Sequence, residues 1–345
     1  MPVVQETELT DFATALLHAA GYTPEEAEQT ARLLVWANLR GAESHGVLRI
    51  PRYIEMIKTA VVRAGQQPKL IREFGATCVF DYAKAPGAVA MMHAAGKAGD
   101  LAQAFGIGWC GARAISHAGA IGYFTTHLAG RGLIGIAMTA SRPLMSYFGA
   151  KGEALSTNPL SIAAPRPGGA DPIMLDMSTA AVALGKIMAA KDTGSTIPKG
   201  WAIDANGAET QDPHAVAAIL PMAGPKGSGL SLMIEILSSV LVGNAIVAPF
   251  LRGEKKGGFN GLVLAIDPAA FGDTSTFLAS VESLADTIHA LDPAPGVDGV
   301  RLPGERGFQT GRERAANGIP LAKGTASNLA EAAVQLGLAV PAFLQ

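Results

Sequence analysis

Apolar side chains recur at helical spacing through PEEAEQTARLLVWANLR, residues 24–40, and the residues in front of them mark where that helix begins. Thr23 offers a hydroxyl to a free backbone N–H, Pro24 takes the first helical position, and Glu26 can return the second bond of a capping box. This helix should stop near Gly41, and Pro51 is well placed to open the next one. The first 75 residues therefore read as helices. From Ala76 the texture changes to short apolar, β-prone runs separated by glycine. The runs at 77–83, 106–115, 132–141, 160–165, 172–178 and 259–267 are predicted strands. Residues 88–105 and 230–243 read as helices between them, and helices return after about residue 285, ending with ASNLAEAAVQLGL at 326–338. The expected plan is a helical part at 1–75 packing with a helical part at 285–345, and a mixed central domain at 76–284.

Composition changes this picture little but excludes several functions. A chain of 345 residues with 49% apolar and 16% charged side chains suggests roughly two well-buried globular domains. The net charge is −2 with Lys and Arg scattered, so no basic patch recruits nucleic acid or an anionic membrane. Cys78 and Cys110 are the only cysteines, too few for a disulfide framework or a cysteine-based metal cluster, and they suit a reducing compartment. The N-terminus, MPVVQETELTDF, lacks an apolar signal core, so a cytoplasmic location is expected. Residues 230–251 could pass for a membrane span, but Glu235, Asn244 and Pro249 interrupt them, and a buried helix is the better reading. His18, His93, His127, His214 and His289 show no ligand spacing, so no catalytic metal is expected.

Candidate chemistry sits at the element ends. GAESHGVLRIPRY, residues 41–53, crowds His45, Arg49, Arg52 and Tyr53 into the exit of the second helix. Chemistry alone leaves a solvated turn and a binding site equally open there. GIGWCG at 106–111 matches the dinucleotide fingerprint G-x-G-x-x-G, yet a helix precedes it, a strand follows, and no acid lies in the downstream segment; it is rejected as that motif. His117 follows a strand in the small-residue loop SHAGAIGYF, where a ligand can approach the backbone and an imidazole can take a proton. Asn158 in STNPL is turn chemistry or an orienting amide, and Asp176–Ser178 in DMSTA a helix cap or a partner for ribose hydroxyls. AGPKGSGL, with Lys226, puts free N–H groups and a helix dipole at one spot and suits a pyrophosphate or a carboxylate.

The order of these motifs along the chain resembles the malate/L-lactate dehydrogenase family. RGAESHGVLRIPRY, SHAGAIGYF, GLIGIAM, STNPL, LDMST, IPKGWAIDANG and AGPKGSGL carry the likeness over nearly the whole length, and HAGAIGYF with AGPKGSGL is nearest to the ureidoglycolate dehydrogenase branch. The resemblance implies an α+β fold in which a helical domain accompanies a central, largely antiparallel sheet binding NAD or NADP without the glycine fingerprint. It also implies a homodimer, with the active site between the helical and central domains. By resemblance His45, Arg49 and Tyr53 line the substrate pocket, Arg49 holding a carboxylate through a forked pair, and His117 is the proton acceptor. Ser141, Asp176, Met177, Ser178, Lys226, Pro303, Gly304 and Glu305 match cofactor-contacting positions, and Asn158 is the orienting amide. The expected reaction moves a hydride between nicotinamide and C2 of a small 2-hydroxy or 2-oxo acid, of malate, lactate, ureidoglycolate or sulfolactate type. The alternative is reduction of a cyclic or N-alkyl 2-imino acid. Arg142 stands where the ureidoglycolate branch carries an acid; that exchange alters local charge by about two units and suits a second anionic group, a 2′-phosphate or a surface salt bridge.

Overall fold

The computed structural model describes residues 1–255 and 257–344. The chain opens with β1 (Val3–Val4), α1 (Glu6–Ala19), α2 (Pro24–Leu39), α3 (Ile50–Lys58), β2 (Lys69–Phe74), β3 (Thr77–Ala85), α4 (Gly87–Phe105), β4 (Ile107–Ile115) and α5 (Gly122–Gly130). It continues through β5 (Ile134–Ser141), β6 (Leu160–Ala164), β7 (Ile173–Met177), α6 (Leu184–Thr193), β8 (Ala202–Ile203), β9 (Ala218–Ile219), α7 (Pro225–Glu235) and α8 (Val247–Leu251). It ends with β10 (Phe259–Ile266), α9 (Thr274–His289), α10 (Glu305–Asn317), β11 (Ile319–Pro320) and α11 (Lys323–Gln335).

The fold is α+β around a mixed seven-stranded sheet in the order β2-β3-β4-β10-β5-β6-β7. Only β3 and β4 pair in parallel; the remaining neighbours in that sheet are antiparallel. The parallel pair requires a crossover, and α4 supplies it. That helix lies almost on the strands: a Cβ on Gly108 would come within 1.9 Å of the Ala98 carbonyl oxygen. The alanine-rich sequence of α4 follows from this close approach, with Ala90, Ala94, Ala98 and Ala102 fully buried. On the other face, a Cβ at Gly111 would meet Val242 at 2.6 Å, so the chain just beyond α7 covers the sheet there.

The helical ends pack together on the sheet. β1 pairs with β11, and one continuous core joins Leu9, Leu16, Leu34, Ile50, Ile319 and Leu329 with Phe80, Met91, Cys110, Phe124 and Val263. The capping box forms as read: Glu26 N–H donates to Thr23 Oγ1 at 3.3 Å, and Thr23 N–H donates to Glu26 Oε2 at 3.1 Å.

Three local expectations need correction. Residues 69–74, KLIREF, form a strand inside the stretch read as helical. Every residue of this edge strand is exposed, so no inward-facing apolar alternation announced it. Helices return at Thr274 rather than near 285, because the Asp273 carboxylate caps α9 through Thr276 N–H at 2.7 Å. The 230–251 segment is not a buried helix throughout. It is α7, a π-turn at Ile236–Val240 and the short α8, with Met233, Val240 and Leu241 about half exposed. No described helix is long and apolar enough to cross a membrane.

Candidate active site

The turn after α2 is built around Gly46. Two 3₁₀ turns, Glu43–His45 and Val47–Arg49, lead into α3, with Pro51 in its first turn. Asn38, buried in the last turn of α2, accepts from Val47 N–H through its side-chain oxygen at 2.7 Å. A Cβ on Gly46 would sit 2.1 Å from that oxygen, so only glycine lets the turn close against α2. Replacing Gly46 with Ala is expected to destabilise the protein by about 1–3 kcal/mol, the cost of overpacking. It should also raise the Michaelis constant for the acid substrate, because His45 and Arg49 flank the displaced residue. Chemical denaturation and steady-state kinetics on the same preparation measure both effects.

His117 is positioned by a second set of backbone constraints. β4 leaves the sheet through Ala114, whose φ of 53° lies in the left-handed region; its N–H donates to Asn260 Oδ1 at 2.9 Å. Asn260 is fully buried and also bonds Asn244 and Ser239, so the exit of β4 is tied to β10 and the π-turn. Ser116 N–H then donates to Ala85 O, and Ser116 Oγ accepts from Gly87 N–H at 2.8 Å, at the start of α4. A Cβ on Gly87 would lie 2.4 Å from the His117 carbonyl oxygen, so the loop carrying the histidine is pressed against that helix end.

These elements bring His45, Arg49, Tyr53 and His117 into one cluster. The two imidazoles stack with centroids 5.8 Å apart and planes 21° apart. Tyr53 Oη is 2.7 Å from His117 Nδ1, and the Phe259 and His117 rings meet in a T with centroids 6.0 Å apart. Ser44 Oγ lies 2.9 Å from His45 Nδ1. Arg49 Nε donates to Ser44 O at 2.6 Å, and among the described residues its guanidinium has no ion pair. The forked end of Arg49 is therefore available to a carboxylate. Arg52 points elsewhere and pairs with Glu55 on the surface.

Burial sets the charge state of this cluster. His117 is pushed down to about 3, first by burial and then by His45 and Arg49 nearby. His45 is pushed down to about 4 by burial and by Arg49. Burial raises the Tyr53 phenol, against the pull of Arg49. At neutral pH both imidazoles are thus neutral, the state required of a proton acceptor. The unfolded chain binds protons on these rings near 6.5, whereas the folded chain binds them only near 4 and 3. Their contribution to stability is therefore fully present above pH 6.5 and is lost as pH falls from there through 4 and on to 3. The melting temperature should drop across that window, and a His45→Asn variant should show a flatter dependence in a pH series of thermal melts.

A second group gathers around β7. Pro303 O accepts from Met174 N–H at 3.0 Å, which lays the Pro303–Glu305 turn against Met174 in β7, the strand that carries Asp176 and Met177. Asp176 Oδ2 accepts from Gly122 N–H at 3.0 Å, at the head of α5. A Cβ on Gly122 would lie 2.6 Å from that oxygen. Gly304 has φ 88°, and its carbonyl accepts from Arg40 Nη2 at 3.1 Å. Arg40 is held between Trp36 and Phe308, 5.0 and 3.7 Å from the ring centroids, and its Nη1 is buried without a partner. The Glu305 carboxylate is already engaged, by Leu302 N–H at 2.8 Å and by His289 at 2.6 Å.

The loop before α7 meets the DMSTA segment: Met222 N–H donates to Thr179 O at 2.9 Å, and a Cβ on Gly227 would crowd the same oxygen. Ser178 Oγ accepts from Ala180 N–H at 3.0 Å and so caps its own turn. Lys226, in the first turn of α7, is exposed and has no ion pair among the described residues. Ser141 Oγ lies 2.6 Å from Ser156 Oγ at the end of β5. Asn158 is fully buried, its amide donating to Ser231 O at 3.0 Å and its Oδ1 unpartnered. Its bonds join it to α7 rather than to the His117 cluster.

These residues fit a nicotinamide dinucleotide. An open carboxylate at Asp176, glycine-lined approaches at Gly122 and Gly304, and a free Lys226 ammonium together offer partners for ribose hydroxyls and phosphate oxygens. No group of three or more His, Cys, Asp or Glu side chains suited to a metal ion occurs among the described residues. The sequence reading missed Asn38, Arg40, Ser116 and Asn260. Each is a polar residue whose partner lies far along the chain or on another element, so no local pattern marked it.

The pattern of conserved positions that defines the malate/L-lactate dehydrogenase family matches residues 4–330, so the chain belongs to that family. It is 36% identical over 311 residues to a ureidoglycolate dehydrogenase (NAD(+)) of Escherichia coli O157:H7, covering 88% of this chain and 87% of that protein. It is 34% identical over 309 residues to a (2R)-3-sulfolactate dehydrogenase (NADP(+)) of Chromohalobacter salexigens, covering 88% and 90%. Among solved structures, delta1-piperideine-2-carboxylate reductase from Pseudomonas syringae superposes with a TM-score of 0.85 at 28% identity, covering 96% of this chain and all of that one.

Proposed function

We propose that this protein transfers a hydride between nicotinamide and C2 of a small 2-hydroxy or 2-oxo acid in the cleft around His117. Its class, an NAD(P)-dependent dehydrogenase of 2-hydroxy acids, follows from its family and relatives. The observation that carries the assignment of the site is a guanidinium without an acid partner, Arg49, clustered with a neutral, half-buried imidazole, His117. Bound nicotinamide supplies or removes the hydride. The chain's own residues hold the acid and move the proton. Arg49 takes the substrate carboxylate in a forked pair, Tyr53 and His45 wall the pocket, and His117 exchanges a proton with the oxygen on C2. A carboxylate on Arg49 also offsets the positive charge that helps depress His117, so substrate binding makes the imidazole a better proton acceptor.

The cofactor is read as lying along Ser141, Asp176–Ser178, Lys226 and Pro303–Glu305, without a Rossmann fingerprint. In GIGWCG, Gly106 ends α4 in a left-handed conformation and the remaining residues belong to β4, so this segment opens no helix. Asn158 supports this wall from behind. Arg142, exposed beside Ser141, favours a second anionic group, either on the substrate or as the 2′-phosphate of NADP. A homodimer is supported by the apolar stripe Leu232, Met233, Ile236, Val240 and Leu241, exposed along α7 and its π-turn. The free, buried Cys78 and Cys110 support a reducing, cytoplasmic setting.

The likeness to the piperideine-carboxylate reductase favours one alternative, reduction of a cyclic imino acid in the same cleft. Loss of reduced-nicotinamide absorbance decides between them. NADH and NADPH are each offered with pyruvate, oxaloacetate, sulfopyruvate and a cyclic imine acid, and ureidoglycolate is run in the oxidising direction with NAD and NADP. Turnover of an oxo or hydroxy acid supports the first reading; turnover of the imine alone replaces it with the second.

A further inference from the structure

His117 holds its Nδ1 between two groups of different character. Gly119 N–H, 3.3 Å away, can only donate. The Tyr53 hydroxyl, 2.7 Å away, can donate or accept. The donor that cannot reverse its role makes Nδ1 the unprotonated nitrogen of the neutral ring, an assignment made from the hydrogen-bond network. The ring proton then sits on Nε2, and Tyr53 O–H donates into Nδ1. Burial, His45 and Arg49 all act against a second proton on this ring. A neutral ring that gives its Nε2 proton to a substrate oxygen must be resupplied at Nδ1, and Tyr53 is the hydroxyl in place to do so.

We propose that Tyr53 is the proton relay behind His117, passing its hydroxyl proton to Nδ1 as Nε2 gives its own proton to the oxygen on C2. This rests on the reading of His117 as the group that exchanges a proton with substrate. In the reducing direction C2 of the oxo acid gains the hydride that reduced nicotinamide loses, and its oxygen gains the Nε2 proton. The Nε2–H and Tyr53 O–H bonds break while the substrate O–H and Nδ1–H bonds form. The imidazole is neutral before and after, changed only in tautomer. The negative charge left on the Tyr53 oxygen is opposed by burial and offset in part by Arg49 one turn earlier, so it is short-lived and ends when solvent returns the proton. Oxidation runs the same transfers backwards.

The test is a proton inventory of oxo-acid reduction by the full-length protein, in mixtures of light and heavy water, with Tyr53→Phe beside the wild type. The substrate is whichever of pyruvate, oxaloacetate or sulfopyruvate turns over. The wild-type rate should fall along a bowed curve, because two protons move together. Tyr53→Phe should lose about tenfold to a hundredfold in turnover with little change in Michaelis constant, and its inventory should become linear. A linear wild-type inventory overturns the relay whether or not the variant folds. Normal turnover in Tyr53→Phe with a raised Michaelis constant also overturns it and leaves Tyr53 as a pocket wall. A His117→Asn control separates the two levels: normal turnover there removes the reading of His117 itself, whereas loss there with normal Tyr53→Phe turnover removes only the relay.

Discussion

A His117→Ala variant should fold, bind reduced nicotinamide and lose about 10²–10⁴ in turnover, the range for removal of a positioned acid–base group. The ring is the one titratable group that touches Tyr53, stacks on His45 and lies in the field of Arg49. Of the other three clustered side chains, Arg49 cannot titrate, the Tyr53 hydroxyl is turned to His117 Nδ1, and His45 Nδ1 is engaged by Ser44. Fold and cofactor binding should survive, because the loop is anchored next to residue 117 by Ser116, through Ala85 O and Gly87 N–H, and within the loop the imidazole adds only the 3.3 Å bond from Gly119 N–H. Fluorescence titration with NADH and single-turnover kinetics on one preparation test this. Near-normal turnover in a folded variant would remove His117 from the chemistry.

The second large effect is expected at Arg49. Arg49→Met removes the only guanidinium of the cluster and should raise the Michaelis constant for the acid by about tenfold to a hundredfold or more, the worth of one or two hydrogen bonds to a charged group. Arg49→Lys keeps the charge but not the fork, so its loss should fall between wild type and Arg49→Met. In both variants the affinity for NADH should stay near normal, since the side-chain hydrogen bond of Arg49 runs to Ser44 O and not to the residues around Asp176. The position of Arg49 depends on that bond and on the Gly46–Asn38 closure, so the Met variant needs a melting curve beside its kinetics. An unchanged Michaelis constant in a folded Arg49→Met protein would exclude Arg49 from the substrate pocket.

The capping box at Thr23, the strands β3 to β7 and β10, and the helix that crosses from β3 to β4 were all legible, because each rests on neighbours within a few residues. The family was legible in the same way, through short motifs in a fixed order. β2 was not, since an edge strand wet on both faces carries no alternation. The exposed stripe of α7 was misread as buried because apolarity along a helix does not say what covers it. Asn38, Ser116 and Asn260 left no trace in the sequence. Their partners, Val47, Gly87 and Ala114, are nine, 29 and 146 residues away.

By itself the sequence determined most of the local elements and the identity of the residues with chemistry to offer. Propensity, capping and motif order are short-range properties, and the chain carries them wherever it goes. Only the tertiary structure decided that a histidine beyond β4 meets a tyrosine 64 residues earlier, and that both lie beside an arginine without an acid partner. It also decided that the imidazoles there are neutral. Desolvation and nearby charge fix a proton's energy, and both are set by what packs around a side chain rather than by what precedes it in the chain.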